Sequence, residues 1–264
     1  MYSKRLVSWV MIFCLSCNYI KTDSANAHVV GTGKLNKAEN DSNPYPNIGK
    51  VPLPPGGFVR IKRSDDSFGS FLSNIKLKKD KTVYNYDGTV KANQTAQFAV
   101  LDITVGNRDL QQCADAVMRL RAEYLYSVKR YGEIHFADNS GRLYQFRDPY
   151  TPEHLQQYLQ TVFGNCGTAS LSKQLHSISF KDVEPGDVII RGGFPGHAVI
   201  VMDVATNKEG MKIYLLAQSY MPAQDIHVLI NPVNKWLSPW YLVNNDVLIE
   251  TPEYNFTSRE LKRW

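Results

Sequence analysis

The stretch between residues 188 and 217 constrains the fold of this chain most. Three apolar runs, 188–190, 197–204 and 211–217, follow one another with only short turns between them. The first turn is the glycine-rich loop 192–196 (GGFPG) and the second is Lys208-Glu209-Gly210. Connections this short join antiparallel neighbours, because a parallel pair needs a crossover of a dozen or more residues. An antiparallel sheet is therefore the expected centre of the domain.

Helices are expected around it. Residues 109–131 predict the longest one. Leu110, Cys113, Ala114, Val117, Leu120, Tyr124 and Val128 recur at three- and four-residue steps and build one apolar face. Asp109 is its expected N-cap. Asp115, Arg119 and Glu123 lie four apart on another face and read as a salt-bridged flank, with an acidic or sugar site as the sharper alternative. Cys113 falls on the apolar stripe and reads as a packed core thiol. Residues 152–163 predict a second helix, with Thr151 as N-cap and Pro152 at the first helical position. A short helix is expected over 67–75, capped by Asp65, Asp66 or Ser67. Strands are expected at 58–61 and 98–105, a turn at Asp87-Gly88, and a hairpin pairing 134–136 with 143–146. The pattern is that of an α+β domain.

The N-terminus reads differently. Lys4 and Arg5 precede an uncharged, mostly apolar run over 6–20. That run is shorter than the ~20 residues of a spanning helix and fits a secretory signal. Two exits are open. Ala25-Asn26-Ala27 is a signal-peptidase site, which would leave a soluble secreted chain. Leu15-Ser16-Cys17 resembles the end of a lipobox, which would lipidate Cys17 and leave a periplasmic or outer-membrane lipoprotein. Residues 28–47 read as a flexible tether, and 48–264 as one domain. Loss of 1–27 removes three basic residues and one acidic residue, so the formal charge falls from +5 to +3. No Lys/Arg block is dense enough to track a phosphate backbone, so no nucleic-acid partner is expected. A content of 43% hydrophobic residues excludes overall disorder. The sequence contains no H-E-x-x-H, Walker A or G-x-S-x-G pattern and no spaced Cys/His set outside the signal. No metal or cofactor is expected.

Chemistry concentrates in the C-terminal third. Cys166 lies among small residues that lead into a short amphipathic helix carrying Leu171, Leu175 and Ile178. A helix N-terminus stabilises thiolate over thiol. His197 opens the second apolar run, and Gln218 ends the third. A thiolate nucleophile needs an imidazole within reach, and the imidazole needs an orienting partner. Cys166, His197 and Gln218 fit those roles. Two other readings of Cys166 stay open: an inert buried thiol, and a disulfide with Cys113, which export would permit. Tyr220, Gln224 and Trp240, with Trp236 and Tyr241, are candidates for lining a substrate cleft or for the core.

These residues resemble known families. Pro185-Gly186-Asp187-Val188-Ile189-Ile190 and Gly196-His197-Ala198-Val199-Ile200-Val201, preceded by Asn165-Cys166-Gly167-Thr168, look like the papain-like cell-wall peptidases of the NlpC and CHAP types. That resemblance implies a papain-like core, a Cys–His–polar site and cleavage of peptide or amide bonds in peptidoglycan. A second resemblance covers nearly the whole domain, through residues 86–94, 109–126, 195–205, 215–229 and 238–241. It is to a secreted bacterial family catalogued as domain of unknown function 4846, and implies no activity. The leading expectation is an exported monomeric cysteine peptidase or amidase. The alternatives are a non-catalytic surface module that binds glycan or peptide in the same cleft, and a structural envelope lipoprotein.

Overall fold

The computed structural model describes residues 42–244 and 248–264. The expected signal, its Cys17 and the first part of the tether lie outside the described residues. Residues 42–47 belong to the folded unit. Ser42 bridges Asp80, Asn47 bridges Lys76, and the Asn43 amide donates to the carbonyls of Tyr45 and Lys78. The fold thus reaches back at least to Ser42, six residues before the boundary expected from composition.

The elements run β1 (Val59–Arg60), α1 (Phe68–Asn74), β2 (Gln97–Val100), α2 (Cys113–Ser127), β3 (His135–Ala137), β4 (Leu143–Gln145), α3 (Pro152–Phe163) and α4 (Thr168–Gln174). They continue with β5 (His176–Ser177), β6 (Val188–Arg191), β7 (His197–Thr206), β8 (Lys212–Gln218), β9 (His227–Leu229), β10 (Trp240–Leu242), β11 (Leu248–Glu250), β12 (Asn255–Thr257) and β13 (Leu261–Arg263). The main sheet has the order β2-β9-β8-β7-β6-β13-β5, with β1 also on β7 and β10 on β8. Its pairs are antiparallel. The fold of the described residues is α+β, with four α-helices and a large antiparallel sheet. Among the described residues no helix is long and apolar enough to cross a membrane.

Strand β7 is apolar without alternation because both faces of the sheet are covered. Ala198, Ile200 and Met202 join the core built with α1, α2, α3 and α4. Val199, Val201 and Val204 join a second core with Phe180, Tyr214, Ile249 and Phe256. The β11–β12 hairpin supplies Ile249 and Phe256 to that second face. A register shift in the β7–β8 pairing falls between Val201 and Asp203. The Asp203 carboxylate is wholly buried, and it is held by Arg60 at 2.6 Å and by Arg63.

Helix α2 begins at Cys113, three residues later than a cap at Asp109 would have started it. Gln112 is the N-cap, and its backbone N–H donates to Asp115 Oδ2 at 3.0 Å in a capping box. Asp109 is engaged elsewhere: its Oδ1 accepts the Ala223 N–H at 2.7 Å. Asp115 therefore caps the helix, and Arg119 forms its ion pair with Glu123 at 2.8 Å while also donating to Thr104 and Gln111, which shortens the expected charge ladder. Strand β2 also stops early, at Val100; past it the Leu101 and Asp102 N–H groups donate to the carbonyls of Ile226 and Lys76. Helix α3 starts as expected, with Thr151 accepting the His154 N–H and Pro152 following.

Candidate active site

The register of the central strands gathers the site. Ile200 pairs with Ala217, so the start of β7 and the end of β8 meet at one end of the sheet. His197 and Gln218 occupy those ends, and His197 Nε2 lies 2.8 Å from Gln218 Oε1. His227, on β9, is the register partner of Gln218. The Gln218 Nε2 donates to Glu253 Oε2 at 2.8 Å and reaches His227 Nε2 at 3.5 Å. Glu253 sits in the connection between β11 and β12, and it also takes Lys91 Nζ at 2.6 Å and Asn93 Nδ2 at 3.1 Å. The rings of Tyr220, Tyr254 and Phe256 wall the imidazole of His197, with centroids 4.7, 5.1 and 5.8 Å away. Burial draws the His197 imidazole down to about 4, although the bond to Gln218 opposes it. Burial also draws His227 down to about 3.

Two thiols share a cleft with Gly196, the residue before His197. Cys113 is the first residue of α2, and the backbone N–H of Ala198, the residue after His197, favours its thiolate. The N–H groups of Cys113 and Ala114 also favour its thiolate, as expected at a helix start. Burial outweighs them and pushes the thiol up to about 11. Cys166 precedes Gly167, the N-cap of the short helix α4. Burial likewise pushes its thiol up to about 11, with Asp138 and Asp115 adding to the rise and Ser170 opposing it. The lowering expected from a helix terminus therefore does not prevail at Cys166. Both cysteines are free thiols. Both line one cleft of about 270 Å³, shared with Asp115, Gly196, Phe194 and Met221.

The GGFPG loop forms part of the cleft wall. A Cβ on Gly196 would run into the Gly193 carbonyl and the Thr168 hydroxyl, so only glycine lets the loop lie against α4. Phe194 at its tip is fully exposed, and Met221 is 57% exposed. Together they give the cleft an apolar rim.

The expected substrate contacts need correction. Trp240 is wholly buried in β10, and its Nε1 donates to the Pro52 carbonyl at 2.7 Å. Gln224 is buried too, with Nε2 on the Pro222 carbonyl at 3.0 Å. Both are interior residues, because β10 is zipped onto β8 and the 219–224 turn folds inward through the Ser219 hydroxyl. Tyr220 is half-buried against His197. Sequence reasoning reads Cys113 as a core thiol and does not bring Glu253 and Lys91 to this place. For Cys113 a signal was present. Asp115, an acid at N3 behind a polar residue, fits a helix that starts at Cys113. Glu253 and Lys91 carry no local signal, since 162 positions separate them.

The sequence matches a family model in two segments, residues 48–152 and 148–263, and that family is described as domain of unknown function (4846). The chain belongs to this family. The first matched segment of the 4846 domain carries Lys91 and Cys113, and the second carries Cys166, His197, Gln218 and Glu253. No curated protein and no solved structure matches the chain.

Proposed function

We propose that this chain is a thiol-dependent hydrolase of peptide or amide bonds, with Cys113 rather than Cys166 as nucleophile. His197 is its general base, and Gln218 orients His197. The observation that carries the reading is the 2.8 Å bond from His197 to Gln218, made one residue past Gly196, which shares a cleft with Cys113 at the start of α2. A sulfur at a helix start has unpaired backbone N–H groups around it, and such donors suit the oxyanion of a tetrahedral intermediate. Attack joins Sγ to the carbonyl carbon, and the thiol proton passes to His197. The imidazolium then protonates the leaving amine. Water, deprotonated by the same imidazole, releases the acyl group as a carboxylic acid and restores the thiol. This arrangement is of the papain-like kind, and peptidoglycan peptide or a similar amide is the proposed substrate class. Export through the N-terminal signal, with or without a lipid at Cys17, is part of the same proposal.

One observation favours a second reading. Burial raises both thiols and lowers His197, which disfavours a resting thiolate–imidazolium pair. A non-catalytic module that holds glycan or peptide against Phe194 and Met221 accounts for that. Incubation with muropeptides separates the two: turnover that disappears in Cys113→Ala supports the hydrolase. Binding without turnover in the unmodified chain supports the module.

A further inference from the structure

The geometry points to Glu253 as the positioning residue that, through Gln218, fixes which nitrogen of His197 acts as base. The inference rests on the hydrolase reading above. An amide side chain has an oxygen that only accepts and a nitrogen that only donates, so its orientation is set by its neighbours. The Gln218 nitrogen faces two acceptors. One is Glu253 Oε2 at 2.8 Å, and the other is His227 Nε2 at 3.5 Å. His227 is an acceptor at Nε2 because its Nδ1 lies 2.9 Å from the Asp225 carbonyl, which takes the ring proton. The Gln218 oxygen is then left for His197, and an oxygen can bind only a protonated Nε2. Neutral His197 must carry its proton on Nε2 and keep the lone pair on Nδ1. Lys91 completes the device. Its Nζ donates to Glu253 Oε2 at 2.6 Å, so the oxygen that takes the Gln218 amide is held as an acceptor from two sides. The chain of command runs from Lys91 to Glu253, Gln218 and His197, and spans three separate segments.

The tautomer can be read directly. Ring nitrogen shifts of His197 in the full chain, by long-range ¹H–¹⁵N correlation at neutral pH, should show hydrogen on Nε2. Hydrogen on Nδ1 in the unmodified protein overturns the inference without any variant. In Glu253→Gln the new amide can donate, Gln218 is free to turn over, and the Nδ1–H form should gain population. Site-resolved alkylation of Cys113 should slow by about tenfold or more in that variant, by analogy with the loss seen when a catalytic histidine is held in the wrong tautomer. Alkylation of Cys166 should not change. Glu253→Asp keeps an acceptor and should retain the Nε2–H form. An unaltered tautomer and unaltered Cys113 rate in Glu253→Gln would refute the positioning role. Failure of the hydrolase reading is separate: it would be seen as Cys113 alkylation indifferent to His197→Ala, whatever the tautomer.

Discussion

Cys113 opens α2, the helix packed against strand β7, and Gly196, next to His197 at the start of that strand, lines the same cleft. That packing separates the two thiols of the cleft. Cys113 lies on the helix packed against the strand that carries the imidazole, whereas Cys166 precedes α4, which packs against β3 and β6. Cys113→Ala should therefore lower hydrolysis of a muropeptide or peptide amide by about 10³-fold or more, the usual scale for loss of a nucleophile. Cys166→Ala should leave most of the activity. Parallel rate measurements on both variants check this, and the reverse order of losses would return the nucleophile's role to Cys166.

The raised thiol gives a pH signature. Burial pushes Cys113 up to about 11. Only about one chain in ten thousand then holds the thiolate at pH 7, so alkylation should climb about tenfold per pH unit from 7 to 10. An exposed cysteine levels off near its ordinary pKa of about 8.5. Iodoacetamide rates resolved by peptide mass would distinguish the two. An early plateau would mean that a substrate-free ion pair already forms.

Much of this architecture is legible in the sequence, for identifiable reasons. Thr151-Pro152 marks the start of α3 because capping is local chemistry, satisfied by residues within one turn. The bond between His197 and Gln218 follows from three strands joined by short turns, which leave the register little choice. The start of α2 is harder to read. Leu110 continues the apolar spacing beyond the helix, while the competing bond from Ala223 to Asp109 comes from a loop 114 positions away. Trp240 misleads for a related reason. An indole next to a turn is compatible with a cleft or a core, and only its partner Pro52, 188 positions earlier, decides. Glu253 and Lys91 are invisible until the β11–β12 hairpin is folded onto the sheet.

Acid should destabilise the fold through its two buried imidazoles. Burial lowers His197 to about 4 and His227 to about 3, against about 6.5 when unfolded. The unfolded chain thus binds more protons below pH 6.5, and the stability present above that pH is lost as pH falls toward 4 and 3. At pH 5 each imidazole forfeits about 2 kcal/mol relative to pH 7. Asp115 and Asp187, raised chiefly by burial, take up protons earlier in the folded chain and act in the opposite direction. His227→Gln removes one imidazole from the balance and keeps an acceptor for Gln218. Urea melts at pH 7 and pH 5 should show a gap about 2 kcal/mol smaller in that variant than in the parent. An equal gap would mean that His227 is charged in the folded state.

The buried carboxylate of Asp203 tests the packing behind the site. It is the common anion for Arg60 at 2.6 Å and for Arg63, and Arg60 also donates to the Val51 carbonyl at 2.5 Å. Asp203→Ala leaves two guanidinium groups without their anion in a mostly buried place, which typically costs about 3–5 kcal/mol. The entry segment 51–63 should loosen first, since Asp203 adds two guanidinium ties to the backbone pairing that holds it on β7. Hydrogen exchange of the backbone amides of Arg60 and Ile61 would report that loosening, with denaturant melts giving the total. A loss below about 1 kcal/mol would show that the pair is not a net support.

The cleft rim offers a test in which folding and recognition come apart. Phe194 is fully exposed at the tip of the GGFPG loop, so its ring adds no core packing, yet it lines the cleft that holds both thiols. Phe194→Ala should leave the melting temperature nearly unchanged, because exposed side chains away from special backbone rarely matter by more than about 0.5 kcal/mol. It should raise KM for a substrate with an apolar group beside the cleaved bond, with kcat little altered, since contacts made equally in ground and transition states affect binding alone. Gly196→Ala should behave in the opposite way. Its new methyl group has no space between Gly193 and Thr168, so both stability and turnover should fall. Melting curves and steady-state kinetics on the two variants separate these outcomes. A fall in kcat with unchanged KM in Phe194→Ala would place that ring in the transition state rather than on the rim.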